Sequence, residues 1–371
     1  MDRLPDGVRA LAPAVAATVG FVLLSLAVVM FIGSDGFGYD YVAYDDAARR
    51  IADGRPLYLA DTAARYARGA YDGLYLYPPP MAIALIPLTA LSQADATTAW
   101  IIVRVGLLAG ACAILPVARA TRLFTFAAAA LSFPVLFDLN IGNVSVLAFA
   151  LTALGWRTQG TAIAALAHAA LVAIRIPFGV FAVQWLAQRR PRTLAWTVVA
   201  GLGLIVVSLP IVGLATYLDY MTILRGLPDI STGPHNLSLR SALALFGVPD
   251  GIASFGLPLG YGLGLAAIVF GARRRDADVA FVVTAVATLL VAPFIHPHYL
   301  VLLLLPAALL MDRGHGWAFV LPLLGWLPGP VLPFIAPATI AILLLVTADG
   351  RAGQRSRGEH VAHVEPAPLA S

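Results

Sequence analysis

Apolar runs follow one another through this chain with short polar turns between them, and the charges collect in the turns. The first run, "LAPAVAATVGFVLLSLAVVMFIG" (11–33), carries no charge and is long enough to cross a hydrocarbon core as a helix. At about 23 residues it is also too long for a typical signal h-region, so it reads as a retained first span. Composition agrees: 60% of residues are hydrophobic and 12% are charged, against roughly a quarter charged in ordinary soluble domains. A single soluble core is excluded, and the expected fold class is an all-α polytopic membrane protein.

The basic residues set the orientation. All 24 are arginine, with no lysine, and nearly all lie at loop ends, so the net charge of +4 describes turns and does not argue for nucleic acid. "MAIALIPLTAL" (81–91) is too short to span and reads as an interfacial or re-entrant helix. With that choice Arg119, Arg122, Arg157, the "QRRPR" run, "RRRD" and Arg313 all fall on the cytoplasmic side; counting the segment as a span would invert them. The expectation is about 12 transmembrane helices, near 11–33, 98–118, 123–137, 143–156, 161–174, 176–187, 194–215, 252–271, 279–295, 299–311, 316–328 and 331–347. They form a single transmembrane domain over 1–350, with both termini cytoplasmic. Residues 34–97 form an extracytoplasmic loop with interfacial helices, 216–251 a second outer loop, and 351–371 a disordered cytoplasmic tail. No internal repeat of the transporter kind is visible. The only cysteine, Cys112, lies in an apolar run, which excludes an intrachain disulfide.

The first outer loop holds "GYDYVAYDDAARRIADGRPLY" (38–58), with Asp40, Asp45 and Asp46 close together. From Val42 to Asp53 the spacing predicts a helix, apolar on one face, with Asp45 four residues before Arg49 and Asp46 four before Arg50. That is the favourable order for ion pairs along a helix. Asp40 has no basic residue at helical spacing. Either it caps the helix N-terminus or it remains for chemistry.

This loop carries a resemblance. An Asp just beyond the first helix, then Tyr, a small-residue helix, "GRPLY", and "YPP" leading into a short apolar helix resemble glycosyltransferase family 87. These are integral-membrane GT-C enzymes that use polyprenyl-phosphate sugars and include mycobacterial phosphatidylinositol-mannoside and arabinan glycosyltransferases. "NIGNVSVL" (140–147), "IRIPFGVF" (174–181), "HNLSLRS" (235–241) and "HPHYLVLLLLP" (296–306) resemble further family turns in order. Here Arg175 stands in place of a Lys and Asn143 in place of a Gln. The resemblance implies a GT-C-like fold, an extracytoplasmic active site, and a catalytic Asp falling on Asp40. It also places Tyr77 of "YLYPPP" with the substrate-binding residues.

Transfer from a sugar-phosphate lipid removes a proton from an acceptor hydroxyl while a phosphate leaves. A phosphate needs no general acid, so one carboxylate suffices for inverting transfer. The leaving phosphate calls for cations or donors, and Arg175, His296 and His298 lie at expected outer helix ends. Arg104, inside the second expected span, needs a partner or a cavity, and Asn236 of "NLS" is a candidate substrate contact. His168 reads as a satisfied core histidine. No Asp-x-Asp stands in the first loop, so no divalent metal and no separate cofactor is expected. The expected activity is mannosyl transfer from a polyprenyl-phosphate donor to a glycolipid or cell-envelope polysaccharide in the plasma (inner) membrane. Arabinofuranosyl transfer is the alternative within the family. A transporter or flippase is the rival class, though it calls for polar residues at mid-membrane depth, whereas this chain concentrates them at one face. A non-catalytic scaffold is the third reading, and it would tolerate Asp40→Asn.

Overall fold

The computed structural model describes residues 6–70, 73–227, 236–274 and 276–347. No strand occurs among them, and each expected span contains helix. The α-helices in chain order are α1 (Asp6–Phe31), α2 (Tyr39–Ala52), α3 (Thr62–Ala67), α4 (Pro79–Leu85), α5 (Gln93–Ile114), α6 (Arg119–Leu131), α7 (Phe133–Ile141), α8 (Ser145–Arg157) and α9 (Ala162–Ile174). They continue with α10 (Phe181–Ala187), α11 (Pro191–Gly226), α12 (Leu239–Leu245), α13 (Asp250–Ala253), α14 (Gly256–Ala272), α15 (Ala277–Ala287), α16 (Leu304–Asp312) and α17 (Ile335–Val346). Tighter 3-10 turns join several of them, at Ile86–Ala90, Ile176–Val180 and Pro297–Leu303 among others, each with a proline in its first turn.

The expected span count is not reproduced. Four helices are long and apolar enough to cross a membrane, Ala10–Phe31, Gln93–Ile114, Pro191–Gly226 and Asp250–Ala272. A fifth is counted if α6 and α7, bent by 61° about Ser132, form one broken span. The other apolar helices have 10–17 residues. The physical reason is visible in α15 and α16, which are buried along nearly their whole length. A helix enclosed by protein need not match the bilayer thickness, and irregular backbone at its ends is tolerated where protein covers it. The lipid-facing role falls to helices such as α1 and α11, which expose Val19, Phe21, Val29, Val199, Val206 and Val207. Small residues allow close approach where lipid supplies no hydrophobic drive between helices: a Cβ on Gly20 of α1 would stand 3.0 Å from Ala127 Cα of α6.

The expected second outer loop, 216–251, is helical in its first part. Pro210 and the non-helical Gly213 (φ 75°, ψ 163°) kink α11, but the helix resumes and runs to Gly226. "TYLDYMTILRG" is too polar for a bilayer interior and so resembles a loop in sequence. Its Tyr220 and Ile223, three residues apart, instead bury one face against the first outer segment. His235 of "HNLSLRS" and the tail 351–371 lie outside the described residues.

Polar groups sort to two ends. At one end Asp312 accepts from Ala118 N at 2.7 Å and from Thr121 Oγ1 at the start of α6, Arg313 pairs with Asp276 at 2.6 Å, and Trp156 Nε1 donates to Asp278. The turns carrying Arg119, Arg122 and Arg157 lie there. At the other end α2, α3 and α4 form a cap over the α7–α8 turn, the C-terminus of α9 and the turn before Pro297.

Candidate active site

Two glycines set the floor of the site. Gly38 (φ 70°) starts α2 in the left-handed region, and its N–H donates to Asn140 O at 2.8 Å. A Cβ there would fall 2.5 Å from Thr97 Cγ2. Gly142 (φ 84°) ends α7, and a Cβ on it would fall 2.6 Å from Tyr41 Cβ. These bare backbones let the first turn of α2 press directly on the α7–α8 turn. Trp100 of α5 seals the junction by donating from Nε1 to Gly142 O at 2.9 Å and stacking on Tyr41.

On α2 the three carboxylates separate as their spacing predicts. Asp45 accepts from Arg49 Nε at 2.8 Å and Asp46 from Arg50 Nη2 at 2.9 Å. Asp40 lies in the first turn but caps nothing. Its Oδ2 accepts instead from Asn143 Nδ2 at 2.7 Å. Burial raises the Asp40 pKa from 3.8 to about 6, with Asp138 pushing the same way, while the Asn143 hydrogen bond, Arg175 and Arg104 oppose it. A carboxylate poised there is a base at neutral pH with a stronger pull on a proton than an ordinary Asp.

Asn143 links Asp40 to Arg175. Its Oδ1 accepts from Arg175 Nη2 at 2.9 Å and from Val144 N at 2.7 Å, and Arg175 Nη2 also donates to Ser145 Oγ at 2.6 Å. Arg175 caps the C-terminus of α9, and its guanidinium lies 3.5 Å from the centre of the Tyr299 ring. His298 stands edge-on to the same ring at 4.8 Å and stacks on His296 at 5.2 Å. Arg175 Nε and both ring nitrogens of His298 are buried without a partner in the protein. Unsatisfied buried donors of this kind are costly unless a ligand or water meets them.

Behind this surface, Arg104 and Asp138 pair at 3.3 Å, both fully buried. Arg104 donates from Nη1 to Asp138 O and Asn143 O and from Nη2 to Leu139 O, while Asp138 accepts from Ser145 N and Val146 N at the start of α8. Arg104, expected as a substrate contact, has its terminal nitrogens on the α7–α8 turn that carries Asn143, and its Nε is buried without a partner. Asn236, expected as a substrate contact, is likewise engaged by backbone. Its Nδ2 donates to Pro293 O and its Oδ1 accepts from Ser238 N and Ile295 N, so it splints the backbone just before His296.

Tyr77 lies at the site. Tyr44 Oη donates to Tyr77 Oη at 3.1 Å, and both phenol pKa values are raised by burial, so both hydroxyls stay protonated. Tyr58 Oη donates to Tyr77 O and Tyr75 Oη to Pro78 O, which binds "GRPLY" to "YLYPPP", and Tyr58 stacks on Tyr220 of α11. His168 is a core residue but only half satisfied: Nδ1 meets Ala164 O at 2.7 Å among Phe181, Trp185 and Phe281, and Nε2 is buried without a partner.

The structure thus brings together Asp40, Arg175, His296, His298 and Tyr77, from segments far apart in the chain. It adds Asn143, Ser145 and Tyr299, which sequence reasoning did not select. Their signal in the sequence is the two stretches that hold them, "NIGNVSVL" and "HPHYLVLLLLP", each of which sets polar side chains beside an apolar run. Among the described residues no group of three or more His, Cys, Asp or Glu side chains converges.

Comparison with curated proteins and with solved structures returns no match. Residues 75–297, from the returning limb of the first cap segment to the turn that carries His296, match the family model of Glycosyltransferase family 87. The chain belongs to glycosyltransferase family 87, a family of membrane glycosyltransferases.

Proposed function

We propose that the protein transfers one sugar, mannose as the first candidate, from a polyprenyl-phosphate donor to a lipid-linked or cell-envelope glycan acceptor, with inversion and with Asp40 as general base. The observation that carries this reading is Asp40 itself. It is a half-buried carboxylate with a pKa near 6, held by one hydrogen bond from Asn143, at the same surface as a cation with an unpartnered nitrogen. Asp40 precedes the segment matched to the family, so its role rests on this geometry.

In the proposed step the acceptor hydroxyl gives its proton to Asp40 as its oxygen forms a bond to the anomeric carbon. The bond from that carbon to the phosphate oxygen breaks on the opposite face, and the electron pair leaves with the polyprenyl phosphate. Arg175 supplies positive charge to that phosphate and His298 a ring N–H donor, its imidazole kept neutral because burial, His296 and Arg175 hold its pKa well below the usual histidine value; the Tyr77 hydroxyl lies within the same cluster. The reading assigns no role to a metal. It places the protein as a multi-pass component of the plasma membrane with both termini cytoplasmic and the Asp40 end on the far side. The support for this is that the arginine-bearing turns lie at the opposite end.

The test is purified protein in nanodiscs, offered a panel of polyprenyl-phosphate sugars that includes mannosyl and arabinofuranosyl donors, with a range of glycolipid acceptors. Transfer from at least one donor, abolished by Asp40→Asn, is expected. No transfer from any donor, or full activity in the Asn variant, overturns the assignment.

A further inference from the structure

Asn143 has an amide whose direction is determined by its neighbours. Its Oδ1 accepts from two donors, Val144 N and Arg175 Nη2, so its NH2 group has to point at Asp40, where Nδ2 donates to Oδ2 at 2.7 Å. A flipped amide would face two donors with a third. The side chain is 5% exposed, and its backbone carbonyl is held by Arg104 at 3.1 Å, so the amide is fixed from both ends. The consequence for Asp40 is twofold. One carboxylate oxygen is held in place, leaving Oδ1 for a substrate proton. Arg175, meanwhile, is engaged by Asn143 and Ser145 and makes no ion pair with Asp40. A direct guanidinium contact would lower the basicity of the carboxylate and occupy the donors of Arg175.

We propose that Asn143 is the positioning residue of this site: its amide orients Asp40 as a base and keeps Arg175 apart from it, free to meet the anionic leaving group. The inference rests on the reading of Asp40 as general base. It makes Asn143 the link through which the proton-accepting side and the phosphate side hold a common geometry.

Asn143→Asp separates the functions, because it keeps the shape and the acceptor for Arg175 and Val144 but removes the donor and sets a like charge against Asp40. In full-length protein in nanodiscs, with rates measured from pH 5 to 9.5, the acid limb of kcat is expected to move up by about one pH unit or more. The rate at pH 7 should fall about twofold for a one-unit shift and about tenfold for a two-unit shift, and recover toward wild type at alkaline pH, with donor KM changed little. Ser145→Ala, which removes only the other partner of Arg175, is expected to raise donor KM and leave the acid limb in place. Where Asn143→Asp does not accumulate in membranes, Asn143→Ala carries the test: Arg175 closes on Asp40, and the acid limb moves down with a lower plateau. An acid limb at the wild-type position, or a loss of kcat that is the same at every pH, overturns the proposal. A wild type that transfers nothing, or an active Asp40→Asn, overturns the general-base reading instead, so the two failures are distinguishable.

Discussion

Two arginine–aspartate regions lie one behind the other in this protein, and they differ in what remains unsatisfied. In the inner one, Arg104 and Asp138 are fully buried, and their bonds go to each other, to three backbone carbonyls and to two backbone N–H groups. In the outer one, Asp40 and Arg175 do not touch. Each binds Asn143 instead, and Asp40 keeps an oxygen without a protein hydrogen bond; Nε is unpartnered in both arginines, so the difference lies with the aspartates. The same residue types thus build architecture in one place and a reactive surface in the other. What separates them is the carboxylate: the fold engages both oxygens of Asp138 and only one of Asp40, and an oxygen already satisfied by protein has nothing left to offer a substrate.

The comparison breaks most readily at Asp40. Asp40→Asn should lower the transfer rate by about 10²- to 10⁴-fold, the range for loss of a general base, read in the donor-panel assay. The same substitution should not destabilise. Burial raises the Asp40 pKa from 3.8 to about 6, so the ionised form is the costly one in the folded state. The contribution of this group to stability is complete below about pH 3.8 and is lost as pH rises through 6. Above that pH the Asn variant should melt no lower than wild type and be more stable by up to about 3 kcal/mol, a gap that closes below pH 4 in a thermal-melt series. A variant that is both inactive and clearly less stable would place Asp40 with the architectural region.

The inner pair should behave in the opposite way. Arg104→Leu or Asp138→Leu alone leaves a buried charge without its partner and should cost about 3–5 kcal/mol of stability, seen as loss of folded protein after solubilisation. The double variant should lose less than the sum of the two. Additive losses would mean that the pair acts as two independent caps. At the outer arginine, Arg175→Lys should raise donor KM about tenfold or more with a smaller change in kcat, because a single ammonium cannot hold Asn143, Ser145 and a phosphate together. The smallest effect is expected at Asp46. Its side chain is 51% exposed and pairs only with Arg50, so Asp46→Ala should shift stability by a few tenths of a kcal/mol and leave transfer intact. A large effect there would reopen the separation of the three carboxylates on α2.

Much of this was legible in the chain because it depends on local periodicity. The ion pairs of Asp45 and Asp46 follow from four-residue spacing, the short apolar helix after the prolines from its length, and the two polar ends from alternation of arginine-bearing turns with polar ones. The isolation of Asp40 from any base on its own helix was also visible. Partnerships across the fold were not. Nothing local says that Arg104 meets Asp138, 34 positions away, or that Asn236 is consumed by the backbone at Pro293 and Ile295. The continuation of α11 past Gly213 was hidden for a related reason, since its polar residues are sheltered by a cap that exists only once the chain has folded.

The sequence by itself determined that the chain is a helical membrane protein with its chemistry-bearing residues gathered in particular turns, because the bilayer imposes its constraint on every apolar run independently. Only the tertiary structure decided which of those residues are structural and which remain available. Satisfaction of a buried polar atom is a property of what lies opposite it. For Asp40, Asn143 and Arg175 that neighbour comes from an element 30 or more positions away, brought close where two glycines let backbone pass against backbone.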